Sequence, residues 1–353
     1  MKFDFDDILI QPAAISRIES RKQVNIFCDN GYLPLFTAPM DTVIDDSNYT
    51  IFQSAGINVV RPRKAPTSEV NLESDFNNFI SFGKDEFKKI FLANGKVEVC
   101  ERYYVLIDIA NGHMQSLLDM TREAKSLYGN DMVLMVGNIA NPETYRIFSD
   151  AGADLIRISI GNGAGCLTSV QTGVGYPMAS LVHECYQVSC ELKTPAKIVA
   201  DGGFKSYSDI IKALALGADY VMLGSILNKT LESAGDTYLA NTKGEEWAEH
   251  CENIDQYSME AADLFRCGTK MFKKFRGMST KEAQKAMGKT DLKTSEGVTR
   301  IQPVEYTLSG WTENFKSYLS SAMSYSNAAT LQEFIGNAKW NLVSTNSLNR
   351  FKK

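Results

Sequence analysis

The chain has 353 residues, of which 44 % are hydrophobic and 22 % charged, and a formal net charge of -5. That is the composition of an ordinary globular protein with ample core. The charge argues against a general nucleic-acid partner while leaving room for a local phosphate site. Seven cysteines, an odd number without paired spacing, fit a reducing compartment better than a disulfide framework. Residues 1–12 are too polar for a signal peptide, and no apolar stretch reaches the ~18–20 residues of a membrane span. The expected location is the cytoplasm, with no membrane partner.

Short apolar runs recur along the chain at residues 33–37, 56–60, 78–80, 104–107, 132–136, 153–160, 197–200 and 220–223. Each ends in glycine, small or polar residues. Helix-like segments lie between most of them: residues 117–128 and 207–216 carry apolar positions near a three-four spacing, and Asn141-Pro142-Glu143 reads as a helix start. Eight strand-helix alternations predict an α/β fold of the (β/α)8 TIM barrel type. A doubly wound open sheet is the alternative, but it has no need of eight strands.

Residues 236–274 are polar and too long for a plain connection, which suggests an inserted lid or decoration with a helix around 258–265. Residues 280–299, rich in Lys, Gly and Thr, read as a mobile flap. Residues 311–334 supply one or two closing helices. No linker composition marks a boundary, so residues 1–353 read as a single TIM-barrel domain.

Barrel active sites form at the C-terminal ends of the strands, where the chemistry-bearing residues fall. The run 153–160 empties into Gly161-Asn162-Gly163-Ala164-Gly165-Cys166, with Thr168 two residues on. A thiol presented by a glycine loop can act as a nucleophile, or it can be a buried cysteine beside a tight turn. The dinucleotide pattern GxGxxG is absent there, because Cys166 occupies the third glycine position. Asp201-Gly202-Gly203 offers an acid for ribose hydroxyls and backbone amides for an anion; a helix cap is the other reading of Asp201. Gly224-Ser225 ends the next strand, and the two together favour phosphate binding. Glu296, between Ser295 and Gly297, is either a solvated loop acid or a catalytic one. His113, His183 and His250 have no metal-ligand spacing, and His183 reads as structural.

Taken together, these motifs resemble the family of IMP dehydrogenases and GMP reductases from Phe3 to about Ala329. The opening Phe3-Asp4-Phe5-Asp6-Asp7-Ile8-Leu9-Ile10-Gln11-Pro12, the strand end Ala38-Pro39-Met40-Asp41-Thr42-Val43 and the loop ending in Cys166 carry the resemblance. So do Ala200-Asp201-Gly202-Gly203, Val221-Met222-Leu223-Gly224-Ser225, Phe275-Arg276-Gly277-Met278-Ser279 and Ser295-Glu296-Gly297. Ile107-Asp108-Ile109-Ala110-Asn111-Gly112 and Thr172-Gly173-Val174-Gly175-Tyr176-Pro177 are similar to the reductase branch, and the CBS pair of most dehydrogenases is missing.

The resemblance implies reductive deamination of GMP, or a related purine nucleotide, with NADPH to IMP and ammonia. Cys166, Thr168 and Glu296 would be catalytic. Asp201, Gly202, Gly203, Gly224, Ser225, Arg276, Gly277, Met278, Ser279 and Lys293 would bind the nucleotide. Asp108, Ala110, Asn111, Ser321 and Tyr325 would meet the cofactor, the last two often from a neighbouring subunit of a homotetramer. A monovalent cation, K+, would sit on backbone carbonyls of Gly161, Gly163 and Cys166. The alternatives are oxidation of IMP to XMP with NAD, or a non-catalytic purine-nucleotide-binding paralogue. Two positions depart from the family pattern: Lys293 stands where arginine is usual, and Asn327 where glycine is expected.

Overall fold

The computed structural model describes residues 2–64, 78–93, 95–97, 102–240, 252–288 and 294–351. Every expected apolar run contains a strand: β1 (Leu35–Thr37), β2 (Val59–Arg61), β3 (Asn78–Phe82), β4 (Tyr103–Asp108), β5 (Met132–Ile139), β6 (Leu155–Ile158), β7 (Lys197–Asp201) and β8 (Tyr220–Leu223). They hydrogen-bond in parallel in the order β1-β8-β7-β6-β5-β4-β3-β2. At the seam, the Thr37 amide donates to the Asn58 carbonyl at 2.9 Å, and the Asn58 amide donates to Leu35 at 3.0 Å. With β1 bonded on both sides the sheet closes into a (β/α)8 barrel, and the open doubly wound alternative is excluded.

Side chains alternate across a strand, so every second residue points into the barrel. Phe36, Val60, Phe79, Leu106, Met135, Leu155, Val199 and Met222 fill the interior. Two residues further along β4, β6 and β7, the same alternation delivers Asp108, Arg157 and Asp201 to the upper rim of that interior. The opposite faces of the strands pack against helices, among them Gln115–Tyr128, Pro142–Asp150, Met178–Ser189 and Tyr207–Leu216. Local chemistry sets their starts. Asn141 caps Pro142–Asp150 by accepting from the Glu143 amide, with Pro142 at the first position. Ser206 and Asp209 form a capping box on Tyr207–Leu216.

After β8 the chain builds a four-stranded antiparallel sheet in the order Asn253–Ile254, Thr237–Leu239, Met271–Arg276, Thr299–Pro303. Residues 236–274 are therefore more than a lid: among the described residues they supply two whole strands, most of a third, and the helix Met259–Arg266, capped by Ser258. Lys273-Lys274 made the third strand look polar. Lys273 is in fact fully buried, its ammonium donating to the Ser233 carbonyl at 2.6 Å and the Gly235 carbonyl at 3.3 Å. Burial pushes this amine down to about 7. Within the expected flap, the described part holds a helix, Lys281–Ala286, capped by Thr280.

Two helices, Leu308–Tyr325 and Leu331–Phe334, follow the sheet. Between them Asn327 adopts φ +56°, the left-handed conformation that ends helices. Asparagine tolerates it better than any residue except glycine, which accounts for the departure at this position. The strand Ile8–Ile10 pairs antiparallel with Trp340–Leu342 and ties the two ends of the chain together.

Asn58 is the polar clasp of the barrel seam. Fully buried, it donates to the carbonyls of Leu33 and Leu35 at 3.0 Å each and accepts from Asn30 at 2.8 Å. Asn58→Ala removes three side-chain bonds, although the Leu33 and Leu35 carbonyls each keep a backbone amide, and should cost roughly 1–3 kcal/mol, read as a lower urea unfolding midpoint. An unchanged midpoint would remove Asn58 from this role.

Candidate active site

The loop after β6 carries the thiol, and its conformation is held by backbone pairing with the far end of the flap. The Leu167 amide donates to the Glu296 carbonyl at 2.7 Å, and the Val298 amide donates to Gly165 at 3.1 Å. The Gly277 amide in turn donates to Val298 at 2.9 Å. Three segments thus lie backbone against backbone. A Cβ on Gly277 would stand 2.4 Å from the Gly165 carbonyl oxygen, so only glycine permits the approach.

This pairing places three side chains in line. The Cys166 thiol donates to Thr168 Oγ1 at 3.2 Å, and the Thr168 hydroxyl donates to Glu296 Oε2 at 2.6 Å. A proton can pass from sulfur through the hydroxyl to the carboxylate without any side chain moving far. A thiol with such an outlet can become the thiolate that attacks carbon, and the carboxyl can then deliver the proton to a leaving group.

Beneath the thiol lies a charged floor. Arg157, 5 % exposed, donates through Nη1 to Asp108 Oδ1 and through Nη2 to Asp201 Oδ2, both at 2.7 Å. Arg63 Nε adds a bond to Asp108 Oδ2 at 3.0 Å, and its Nη2 donates to the Asp108 carbonyl. Asn138 Nδ2 donates to Asp201 Oδ2 at 2.7 Å. Burial opposes ionisation of Asp108, but the flanking guanidiniums of Arg63 and Arg157 outweigh it and hold the carboxyl below its ordinary 3.8. Gly137 makes room for this arrangement: a Cβ there would sit 2.6 Å from both the Cβ and the carbonyl oxygen of Arg157.

A cavity of about 680 Å³ opens over the floor, lined from all eight strand ends. It brings together Cys166, Thr168 and Glu296 with Asp201, Gly202, Gly203, Gly224, Ser225, Gly277, Met278 and Ser279, and with Asp108, Ala110, Asn111, Gly161 and Gly163. Three expected residues lie elsewhere. Arg276 turns its guanidinium to Asp41 and to Glu282, the latter at 3.1 Å, clasping the β1 loop to the flap helix. Ser321 and Tyr325, on Leu308–Tyr325, do not line the cavity within one chain, and Tyr325 is 66 % exposed. Lys293 lies outside the described residues. Sequence reasoning passed over Arg157, Asn138 and Arg63. The signal for Arg157 was present as a charged residue inside an otherwise apolar strand. His183 packs against Phe3 and Trp340, as a structural residue does.

A closed (β/α)8 barrel with a thiol-hydroxyl-carboxyl line at the C-terminal mouth defines an enzyme-type site. The family model of the IMP dehydrogenase / GMP reductase domain matches residues 2–249. The GMP reductase of Bacillus subtilis is 31 % identical over 67 % of this chain and 73 % of its own length. That of Vibrio vulnificus is 27 % identical over 94 % of this chain and 92 % of its own. The inosine-5'-monophosphate dehydrogenase of Chlorobaculum parvum is 44 % identical, but over 38 % of this chain and 27 % of its own length. The chain belongs to the IMP dehydrogenase / GMP reductase family of oxidoreductases.

Removing the buried Arg157 leaves two half-buried carboxylates, Asp108 and Asp201, without their shared cation. Arg157→Leu should cost about 3–5 kcal/mol at pH 7. A depressed carboxyl adds stability above its unfolded pKa and loses it as pH falls through the folded value. The wild-type advantage should therefore shrink below about pH 4. Urea midpoints for both proteins at pH 7 and pH 3 check this; a gap that widens in acid would contradict it.

Proposed function

We propose that the protein is a GMP reductase-like enzyme, converting GMP or a closely related purine nucleotide to IMP and ammonia at the expense of NADPH. The observation that carries this reading is the continuous line from Cys166 Sγ through Thr168 Oγ1 to Glu296 Oε2. The thiol gives its proton along that line and forms a bond to C2 of the purine as the C2–N3 π pair moves onto N3; return of that pair later expels the amine. Glu296, acting through Thr168, returns the proton to the C2 amine, the C2–N bond breaks, and ammonia leaves. A thioimidate remains on Cys166. NADPH, when bound, supplies the hydride that C2 then needs. C2 becomes tetrahedral on taking the hydride; the ring double bond then re-forms, the C2–S bond breaks, and Cys166 departs as thiolate with IMP as product.

The residues around the thiol fit the two ligands. Asp201 presents a carboxylate fixed by Arg157 and Asn138 toward ribose hydroxyls, while the Gly203 and Gly224-Ser225 turns take the phosphate. Gly277-Met278-Ser279 faces the base across the Cys166 loop. Asp108, Ala110 and Asn111 border the remaining part of the cavity, where the dinucleotide belongs. Ser321 and Tyr325 reach it from a neighbouring copy in our reading, which takes the assembly to be a homotetramer. The carbonyls of Gly161 and Gly163 accept from Ser169 Oγ and the Cys166 amide. Each keeps a second lone pair for a monovalent cation such as K+, through which no step here is routed.

The direction of reaction rests on what could activate water. A dehydrogenase must hydrolyse the thioimidate after hydride transfer, and in that branch the resemblance implies an Arg-Tyr pair on the flap. The 16 residues between Ser279 and Glu296 hold neither arginine nor tyrosine. Arg102-Tyr103, the one such dipeptide, sits where β4 begins, at the end of the strand away from the cavity. NADPH should therefore be consumed with GMP, while IMP with NAD should give negligible NADH. Steady NADH formation with XMP as product would move the protein to the dehydrogenase branch.

Glu296→Gln keeps the hydrogen bond from Thr168 but cannot carry a proton. Turnover should fall by roughly 10²–10⁴ fold with little change in nucleotide affinity. Lost affinity at unchanged turnover would make Glu296 a binding residue instead.

A further inference from the structure

The cavity has a second, cationic end. In the closed ring of strands, the loop after β3 lies across the mouth from the loop after β7. Lys84 stands two residues beyond β3 and Arg63 two beyond β2, and both line the same cavity as Gly203 and Ser225. A mononucleotide held over β6, β7 and β8 leaves this β2–β4 sector open.

Among the described residues that line this end, the charges favour an anion. Asp108 is the carboxylate there, and it is already bonded by two guanidiniums, Arg63 and Arg157. Arg63 uses Nε and Nη2 on Asp108, and its Nη1 takes no partner among the described residues. That nitrogen lies beside Gly83, where an added Cβ would stand 3.4 Å away. The Lys84 ammonium makes no hydrogen bond or ion pair among the described residues. Its acidic neighbours are directed elsewhere: Glu86 accepts from the Gly83 amide at 3.4 Å, and Asp85 is exposed. Two cations at one end of a ligand cavity, each with unspent donors, suit a phosphate.

We propose that Lys84 and Arg63 bind a phosphate of the dinucleotide reductant. This rests on the reading of the reaction given above, which calls for such a ligand in this sector. The phosphate can be the pyrophosphate common to both nicotinamide dinucleotides or the 2'-phosphate that distinguishes one of them.

Calorimetric titration of ADP-ribose and of its 2'-phosphate separates the two, since neither carries a nicotinamide and neither requires turnover. Lys84→Met should weaken binding by about 10–100 fold, with GMP binding unchanged and most of the loss restored in Lys84→Arg. A loss confined to the 2'-phosphorylated fragment puts Lys84 on that phosphate, and an equal loss with both puts it on the pyrophosphate. Unaltered binding of both fragments in Lys84→Met, an equal loss of GMP binding, or no binding of either fragment to the wild type overturns the proposal. If Lys84 governs fragment binding while GMP and NADPH give no turnover, the assigned reaction fails and this site stands. If Lys84→Met turns over GMP with wild-type KM for NADPH, the site fails and the reaction stands.

Discussion

The pairing of two distant backbone segments is the constraint on which the active centre depends. Residues 296–298 lie against residues 165–167, with Gly277 on their other side. Side chains at Gly165, Gly277 or Gly297 would push the segments apart: their Cβ atoms would meet neighbours at 3.0, 2.4 and 2.8 Å. The pairing sets Glu296 within hydrogen-bond reach of Thr168, 128 positions earlier in sequence. Thr168 in turn reaches Cys166. Without that contact the thiol would have a hydroxyl neighbour but no carboxylate, and the proton would have no place to go.

The barrel supplies the other half of the design. Alternation along β4, β6 and β7 brings an acid, a base and an acid to one level, where Arg157 bridges Asp108 and Asp201. Buried ion pairs offset their own desolvation only when their remaining bonds are met, and here Arg63 and Asn138 meet most of them. Among the described residues the Arg157 Nε has no partner. The result is a rigid floor that joins the strand ends assigned to the nucleotide with those assigned to the reductant. Asp201 cannot turn without disturbing Arg157, and Arg157 cannot move without disturbing Asp108.

Much of this was legible in the chain. The eight apolar runs marked the strands because inward and outward faces of a barrel strand are both buried, and Gly-rich or polar residues marked their C-terminal ends. Arg157 was visible as an interruption of such a run, yet its partners came from strands far away in sequence, and spacing does not encode them. Lys273-Lys274 concealed a strand, because a buried lysine satisfied by the Ser233 and Gly235 carbonyls looks the same in sequence as a solvated one. Asn327 looked like a departure from a pattern, although its φ of +56° keeps the backbone geometry that glycine would give. Arg276 has a charge suited to a phosphate, but Asp41 and Glu282 claim it. Such competition is settled in three dimensions.

The central claim is that the Cys166 thiol, with Thr168 and Glu296 as its proton path, expels ammonia from C2 of the purine. Incubating the protein with GMP and oxidised dinucleotide, which has no hydride to give, should arrest the reaction at the covalent stage. Peptide mass spectrometry after acid quench should then find the nucleotide, less one ammonia, on the peptide carrying Cys166, with matching free ammonia in solution. Both should vanish in Cys166→Ala while GMP affinity stays within about tenfold. Ammonia released in full by Cys166→Ala, or an adduct on another residue, would contradict the account.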